Sequence, residues 1–388
     1  MKLRRSHMER TFRIGPIRPP SEADSLLLQV TNGCTWNKCK FCQLYKHTRF
    51  RAYSADSIKK DIDNMVYQAE KVKKYKKDDG TWDIDGINSL LSEGSQEERE
   101  CLYMVANWLV KGGENVFLQD GNTTALSSGR LSDVLIYLKK AFPEIKRITS
   151  YGRAENLAKV SAEEYAELKE AGLDRIHSGF ESGSDEVLKK INKGVTSDEE
   201  IRAGKNIKKG GIELSVYFMP GVGGRELTGE NARGTARVVN ETNPDFLRIR
   251  TAAVKPGTEL YEDFLKGDFI LCSDDEKLME IRTVIELADK VDTRLVSDHI
   301  INLLQGVRGR MIGDRDKMLA VIDGYLESSP EEKMMFQAAR RMAMVTSPKE
   351  MERLPQREKT IIKQMVDSAK DGPYEWEIRM NSLISRYI

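Results

Sequence analysis

Short β-rich runs alternate with longer amphipathic helical segments from about residue 24 to residue 250, and this alternation restricts the fold of the 388-residue chain more than any other feature. The strand candidates are Ser25–Thr31, Asn115–Gln119, Lys146–Ser150, Arg175–Gly179, Glu213–Phe218 and Phe246–Arg250. Between them lie helix candidates at Ala55–Tyr75, Leu131–Ala141, Ala162–Ala171, Ser184–Ile191, Asp198–Lys208 and Gly229–Glu241. A strand–helix–strand unit crosses over right-handedly and returns the chain in the same direction, so repeated units build a parallel sheet. Six of them predict an α/β fold, a partial or near-complete (βα)6 barrel with its functional groups at the C-terminal strand ends.

Local punctuation agrees. Ser161-Ala162-Glu163-Glu164 reads as a capping box, and Gly172 follows the same helix at its end. The expected organisation is an N-terminal extension over 1–24, a barrel over 25–271 with an insertion at about 76–113, and a helical C-terminal region over 272–388. The insertion, with its KKDDGTWDIDG stretch, reads either as a surface elaboration or as a lid or substrate wall. In the tail, Pro330, Pro348, Pro355 and Pro373 mark breaks between helices.

Composition removes several classes. The chain carries 62 Lys plus Arg against 61 Asp plus Glu, a formal net charge of +1, so no global basic excess drives binding to nucleic acid. The dense apolar run Leu26-Leu27-Leu28-Gln29-Val30 is far shorter than the roughly 20 residues of a membrane span. The basic start MKLRRSHMER leads into no apolar stretch, which predicts no secretory signal and a cytoplasmic protein.

The five cysteines carry the chemistry. Cys101 and Cys272 stand alone and read as buried small apolar residues. Cys34, Cys39 and Cys42 crowd into one loop directly after the first predicted strand. Three thiolates there can hold three irons of a 4Fe–4S cluster and leave the fourth open for a substrate or cofactor. The same residues admit a second reading. Four residues separate Cys42 from His47, and a Cys3His zinc site would make this a non-catalytic protein that binds a partner or RNA.

The loop resembles that of the radical SAM superfamily, whose pattern is three cysteines with an aromatic residue just before the last; Phe41 stands at that place. Four residues rather than the commoner three separate Cys34 from Cys39, so the extra residue must bulge within the loop. Later segments extend the resemblance from about Leu26 to Leu260. Gln119-Asp120-Gly121-Asn122 lies where the superfamily has a Gly-Gly-Glu-like segment that binds the methionine amine of S-adenosylmethionine. The stretch from Ile176 to Gly194, containing Glu181 and Ser182, is similar to one shared by relatives of methylthiotransferases and oxygen-independent porphyrinogen oxidases.

The resemblance implies an oxygen-sensitive oxidoreductase or transferase that uses a 4Fe–4S cluster and S-adenosylmethionine. Cys34, Cys39 and Cys42 would ligate the cluster. Asp120, Gly121, Asn122, Glu181 and Ser182 would bind polar groups of the cofactor, as would Ser150 and Arg153. The Met219-Pro220-Gly221-Val222-Gly223 corner would hold the adenine. Strand alternation sends Arg248 and Arg250 to one face, where either would anchor Glu181 or an anionic substrate. A low-potential electron donor of the flavodoxin or ferredoxin type is the implied partner. Outside the loop only Cys101 and Cys272 remain, too few for a second three-cysteine cluster. The sequence leaves the substrate and any catalytic side chain open; His299 in the tail reads as a structural residue ahead of a proton donor or acceptor, and placing Arg308 and Arg310 near a phosphate or carboxylate substrate has no stronger support.

Overall fold

The computed structural model describes residues 10–369 and 372–387. The basic start of the chain, residues 1–9, lies outside them. The chain forms two compact units: one comprises the residues up to Thr35 with His47–His177 and Lys209–Ile212, the other Trp36–Lys46, Ser178–Lys208 and everything from Glu213 on.

The first unit opens on β1 (Leu26–Gln29), followed by β2 (Thr31–Asn32) and β3 (Arg51–Ala52), which pair antiparallel on either side of residues 33–50. Then come α1 (Ala55–Lys73), α2 (Ile84–Leu90), α3 (Gln96–Val110), β4 (Asn115–Gln119), α4 (Ser128–Ala141), β5 (Arg147–Tyr151), α5 (Ala154–Leu157), α6 (Ala162–Ala171) and β6 (Leu173–Glu181). Parallel ladders join β1 to β4, β4 to β5 and β5 to β6, with Leu28 opposite Leu118 and Leu118 opposite Ser150. Strands covered on both faces read as continuous apolar runs, and Leu26, Leu28, Phe117, Leu118 and Ile148 are fully buried. Helix α1 forms because Ile58, Ile62, Met65, Ala69 and Val72 recur at helical spacing and all turn inward, after an N-cap at Ser54. The capping box at Ser161–Glu164 and the left-handed Gly172 bound α6 as the sequence implies.

The insertion is folded into this unit. Helix α3 buries Cys101, Leu102, Val105 and Trp108, the last edge-on to Phe142 at 5.2 Å. Cys101 also holds the entering chain, since Phe12 N–H donates to its Sγ at 3.3 Å. Gln119 does the same further on, accepting from Gly15 N–H at 2.8 Å and donating to the carbonyls of Gly15 and Ile17.

The second unit takes the last four residues of β6, then α7 (Asp185–Lys190), α8 (Ser197–Lys209), β7 (Glu213–Phe218), α9 (Thr228–Thr242), β8 (Phe246–Ile249), α10 (Glu259–Lys266) and α11 (Asp274–Leu287). After these come β9 (Arg294–Val296), β10 (Gly309–Arg310), α12 (Met311–Leu326), α13 (Pro330–Arg341), α14 (Gln356–Asp367) and α15 (Pro373–Ile384). Strand β7 pairs parallel with β8 and β8 with β9, while β10 runs antiparallel to β9. The tail is therefore not purely helical. Arg294-Leu295-Val296 escapes a sequence reading because three residues between polar neighbours show no periodicity.

The fold class is α/β, with mostly parallel strands and alternating helices. The C-terminal helices are tied into their unit by buried polar contacts. Arg341 Nη2 on α13 donates to both carboxylate oxygens of Asp274 at the start of α11, at 2.8 and 2.9 Å. Burial alone would raise the Asp274 carboxyl, but Arg341 and Lys277 hold it below the usual carboxylate range. Asn381 on α15 exchanges two hydrogen bonds with the backbone of Val254, at 3.0 and 2.7 Å. Among the described residues no helix is long and apolar enough to cross a membrane.

Candidate functional site

In a parallel α/β sheet the C-terminal strand ends collect the groups that bind ligands. In the first unit that edge is lined with buried polar atoms. Asp120, just past β4, is fully buried. Its Oδ2 accepts from Gly33 N–H at 3.0 Å and from Gln29 Nε2 at 3.3 Å, while Oδ1 has no hydrogen-bond partner. Burial pushes its carboxyl up, against the pull of those donors. Thr31 Oγ1 and Ser150 Oγ, on β2 and β5, are likewise buried without a partner. Orphaned buried polar atoms each cost about 1–3 kcal/mol, so a row of them at one strand edge fits a polar ligand.

Asn122 has a different part. Its Nδ2 donates to Thr35 Oγ1 at 3.0 Å and to Asn156 Oδ1 at 2.7 Å, and its Oδ1 accepts from Arg153 N–H and Thr124 Oγ1. The carboxamide is thus taken up in bracing Thr35, the residue after Cys34. Gly121 lies between the two as part of the turn, and Arg153 is buried as the N-cap of α5.

The second unit carries Glu181 at the end of β6, with φ +68°, a left-handed conformation rare for a residue with a side chain. Its carbonyl accepts from Met219 N–H at 2.8 Å, and its Oε1 pairs with Lys193 Nζ at 2.9 Å. A Cβ on Gly179 would stand 2.1 Å from that same Oε1, which is why glycine precedes it by two. Glu200, fully buried with both carboxylate oxygens unpartnered, is pushed well up by burial despite the nearby charge of Lys193. The cation of Lys193 is paired by geometry with Glu181. Ser182 Oγ accepts from Ser184 N–H at 3.1 Å and shapes the turn into α7.

Met219 and Val222 are buried with Val187, Ile191 and Ala252, and Phe41 packs against this cluster. The corner is fixed from behind: Gly221 N–H donates to Glu280 Oε2 at 3.0 Å, and Asn231 Nδ2 donates to the same oxygen at 2.6 Å. Burial pushes the Glu280 carboxyl up to about 8. A carboxyl raised in the folded state gives stability that is present below its unfolded value and is lost as pH rises through the folded one. The difference in thermal midpoint between wild type and Glu280→Gln is therefore expected to move in the variant's favour from pH 6.5 to pH 8.5. A difference constant across that range would rule out Glu280 as the titrating group.

Cys39 is buried and Cys42 half-buried in this unit, while Cys34 is half-buried in the other. The extra residue between Cys34 and Cys39 is absorbed at Asn37, which is left-handed with φ +52° and donates from its side chain to the Tyr45 carbonyl. His47 is exposed. Among the described residues no group of three or more His, Cys, Asp and Glu side chains could hold a metal ion. Cys101 and Cys272 are buried, and burial pushes both thiols up, as inert cysteines require.

The cation beside Glu181 is neither of the two arginines. Arg248 is buried, with Nε donating to Ser215 Oγ at 3.0 Å and Nη1 to Asp298 Oδ2 at 3.5 Å. Strand β8 ends at Ile249, so alternation stops there and Arg250 lies exposed beyond it rather than beside Arg248. Glu181 is anchored by Lys193, which strand-period reasoning missed; its one signal is its place in the stretch running to Gly194. His299 is a loop residue whose Nδ1 accepts from Ile301 N–H at 3.4 Å, and burial lowers it to about 4.

Residues 92–228 match the model described as the Radical SAM superfamily. The matched stretch contains Asp120, Ser150, Glu181, Lys193 and Met219, and begins after the cysteine loop. That match agrees with the resemblance read from the sequence. It is similar to an uncharacterized methyltransferase of Pyrococcus horikoshii, 27% identical over 44% of this chain and 36% of the relative. It is also similar to the tRNA-2-methylthio-N(6)-dimethylallyladenosine synthase of Christiangramia forsetii, 23% identical over 75% of this chain and 55% of that one. Among solved structures, coproporphyrinogen III oxidase from Escherichia coli aligns at 14% identity over 94% of this chain and 90% of that one, with a TM-score of 0.44. The chain thus spans about a third and about half of the lengths of these two curated relatives. None of these matches favours the zinc alternative.

Proposed function

We propose that this chain is a radical SAM enzyme whose cluster is held by Cys34, Cys39 and Cys42 and whose S-adenosylmethionine lies along the strand ends. When bound, the cluster supplies one electron that splits the cofactor's carbon–sulfur bond into methionine and a 5′-deoxyadenosyl radical, which takes a hydrogen atom from substrate. The residues supply position. The free Oδ1 of Asp120 and the Ser150 hydroxyl accept hydrogen bonds from the cofactor's polar groups, and Arg153 supplies a cation to its carboxylate. Glu181 presents its second carboxylate oxygen, held in place by Lys193. The Met219–Gly223 corner offers its apolar side chains to the adenine, and Phe41 closes its cluster from the cysteine loop. A flavodoxin- or ferredoxin-type protein delivers the electron.

The observation that carries this reading is the cysteine loop lying ahead of a radical SAM match that contains a buried, half-satisfied Asp120. Anaerobic reconstitution with iron and sulfide, then dithionite and S-adenosylmethionine, is expected to yield 5′-deoxyadenosine. A chain fully loaded with iron that forms no nucleoside overturns the proposal.

A further inference from the structure

The backbone on both sides of Cys39 is tied to one turn, Ile191–Gly194. Lys40 N–H donates to the Ile191 carbonyl at 2.9 Å. Asn192 Nδ2 donates to the Lys38 carbonyl at 3.0 Å, and Trp36 Nε1 donates to the Asn192 carbonyl at 2.7 Å. Gly194 lies so close under the Trp36 ring that a Cβ there would stand 2.4 Å from Cε2. Asn192 and Gly194 are both left-handed, with φ +51° and +66°, so the turn has a shape few residue pairs adopt. Between them Lys193 extends to Glu181, its Nζ 5.7 Å from the centre of the Phe41 ring.

We propose that the Ile191–Gly194 turn is the positioning element of the cysteine loop. Trp36 and Asn192 are its positioning residues, setting Cys39 while the same turn sets Glu181 through Lys193. The inference rests on the reading of this loop as the cluster loop. Its physical basis is that a loop of this length, with a residue to spare, has many conformations. Three directed hydrogen bonds and one steric stop select among them before any ligand arrives.

Two variants separate the contacts from the fold. Trp36→Phe keeps the ring and removes the Nε1 donor; Asn192→Gly keeps the left-handed backbone and removes the donation to Lys38. In the metal-free full chain each is expected to raise the rate of Cys39 alkylation by iodoacetamide about tenfold, as loss of one part-buried hydrogen bond loosens the loop. Cys101 stays protected as the internal control. After anaerobic reconstitution the variants keep their iron but show a shifted or broadened resonance signal from the reduced cluster, which a purely structural role would leave alone. Unchanged Cys39 protection with an unchanged signal overturns the proposal. Hydrogen exchange in the wild-type chain tests it without any variant: the Lys40 amide should exchange as slowly as those of α7, and free exchange overturns it. Raised Cys39 alkylation in variants of a chain that never binds iron supports the turn's role while sinking the cluster.

Discussion

Cys39→Ala is expected to take the iron bound after anaerobic reconstitution from about four atoms per chain to below about one, and to abolish 5′-deoxyadenosine formation. The reason is coordination. A cluster held by three thiolates has none to spare, and among the described residues no further cysteine lies within that loop. Cys101→Ala and Cys272→Ala are the matched controls, because both side chains are buried elsewhere and both should retain full iron. Iron and sulfide analysis with absorbance of the brown chromophore reads the result. Iron retained at the wild-type level in Cys39→Ala would mean that the cysteine loop is not the ligand set.

Lys193→Met is expected to have the second-largest effect, through Glu181. The pair is 11% and 10% exposed, and removing the cation leaves a buried carboxylate without its ion partner. Breaking such a pair from one side typically costs about 3–5 kcal/mol, whereas replacing both partners by apolar groups is often close to neutral. Urea unfolding should therefore show a large loss for Lys193→Met and recovery of most of it in Glu181→Leu/Lys193→Met. Nucleoside formation should fail in both, because the carboxylate that would orient the cofactor is misplaced in one and missing in the other. A double variant that regains stability and activity together would remove Glu181 from the cofactor site.

What could be read from the chain follows its periodicities. Helix α1 shows five apolar residues at helical spacing, and α6 carries both its capping box and its terminal glycine, so each is written locally. Strand β9 is not: its three residues become a strand by pairing with β8, a neighbour supplied by the rest of the unit. The same division runs through the site. The spacing of Cys34, Cys39 and Cys42, with Phe41 beside the last, lies within one short segment and is legible there. The partner of Glu181 is not, because Arg248, Arg250 and Lys193 all offer a cation in sequence and only the end of β8 at Ile249 removes Arg250 from the strand face. Asn122 shows the limit from the other side: an acceptor free for an ammonium in sequence, it is consumed in the fold by Thr35, Asn156, Arg153 and Thr124.

By itself, then, the sequence determined the alternating α/β plan, the trio of thiols and the segments that follow strand ends, since each depends on residues near one another along the chain. Tertiary structure alone decided which buried oxygens go unpaired, which cation meets Glu181, and that a four-residue turn more than 150 residues along the chain grips the backbone around Cys39. Those outcomes depend on distances between segments, and a hydrogen bond or an ion pair is settled by distance and direction rather than by order along the chain.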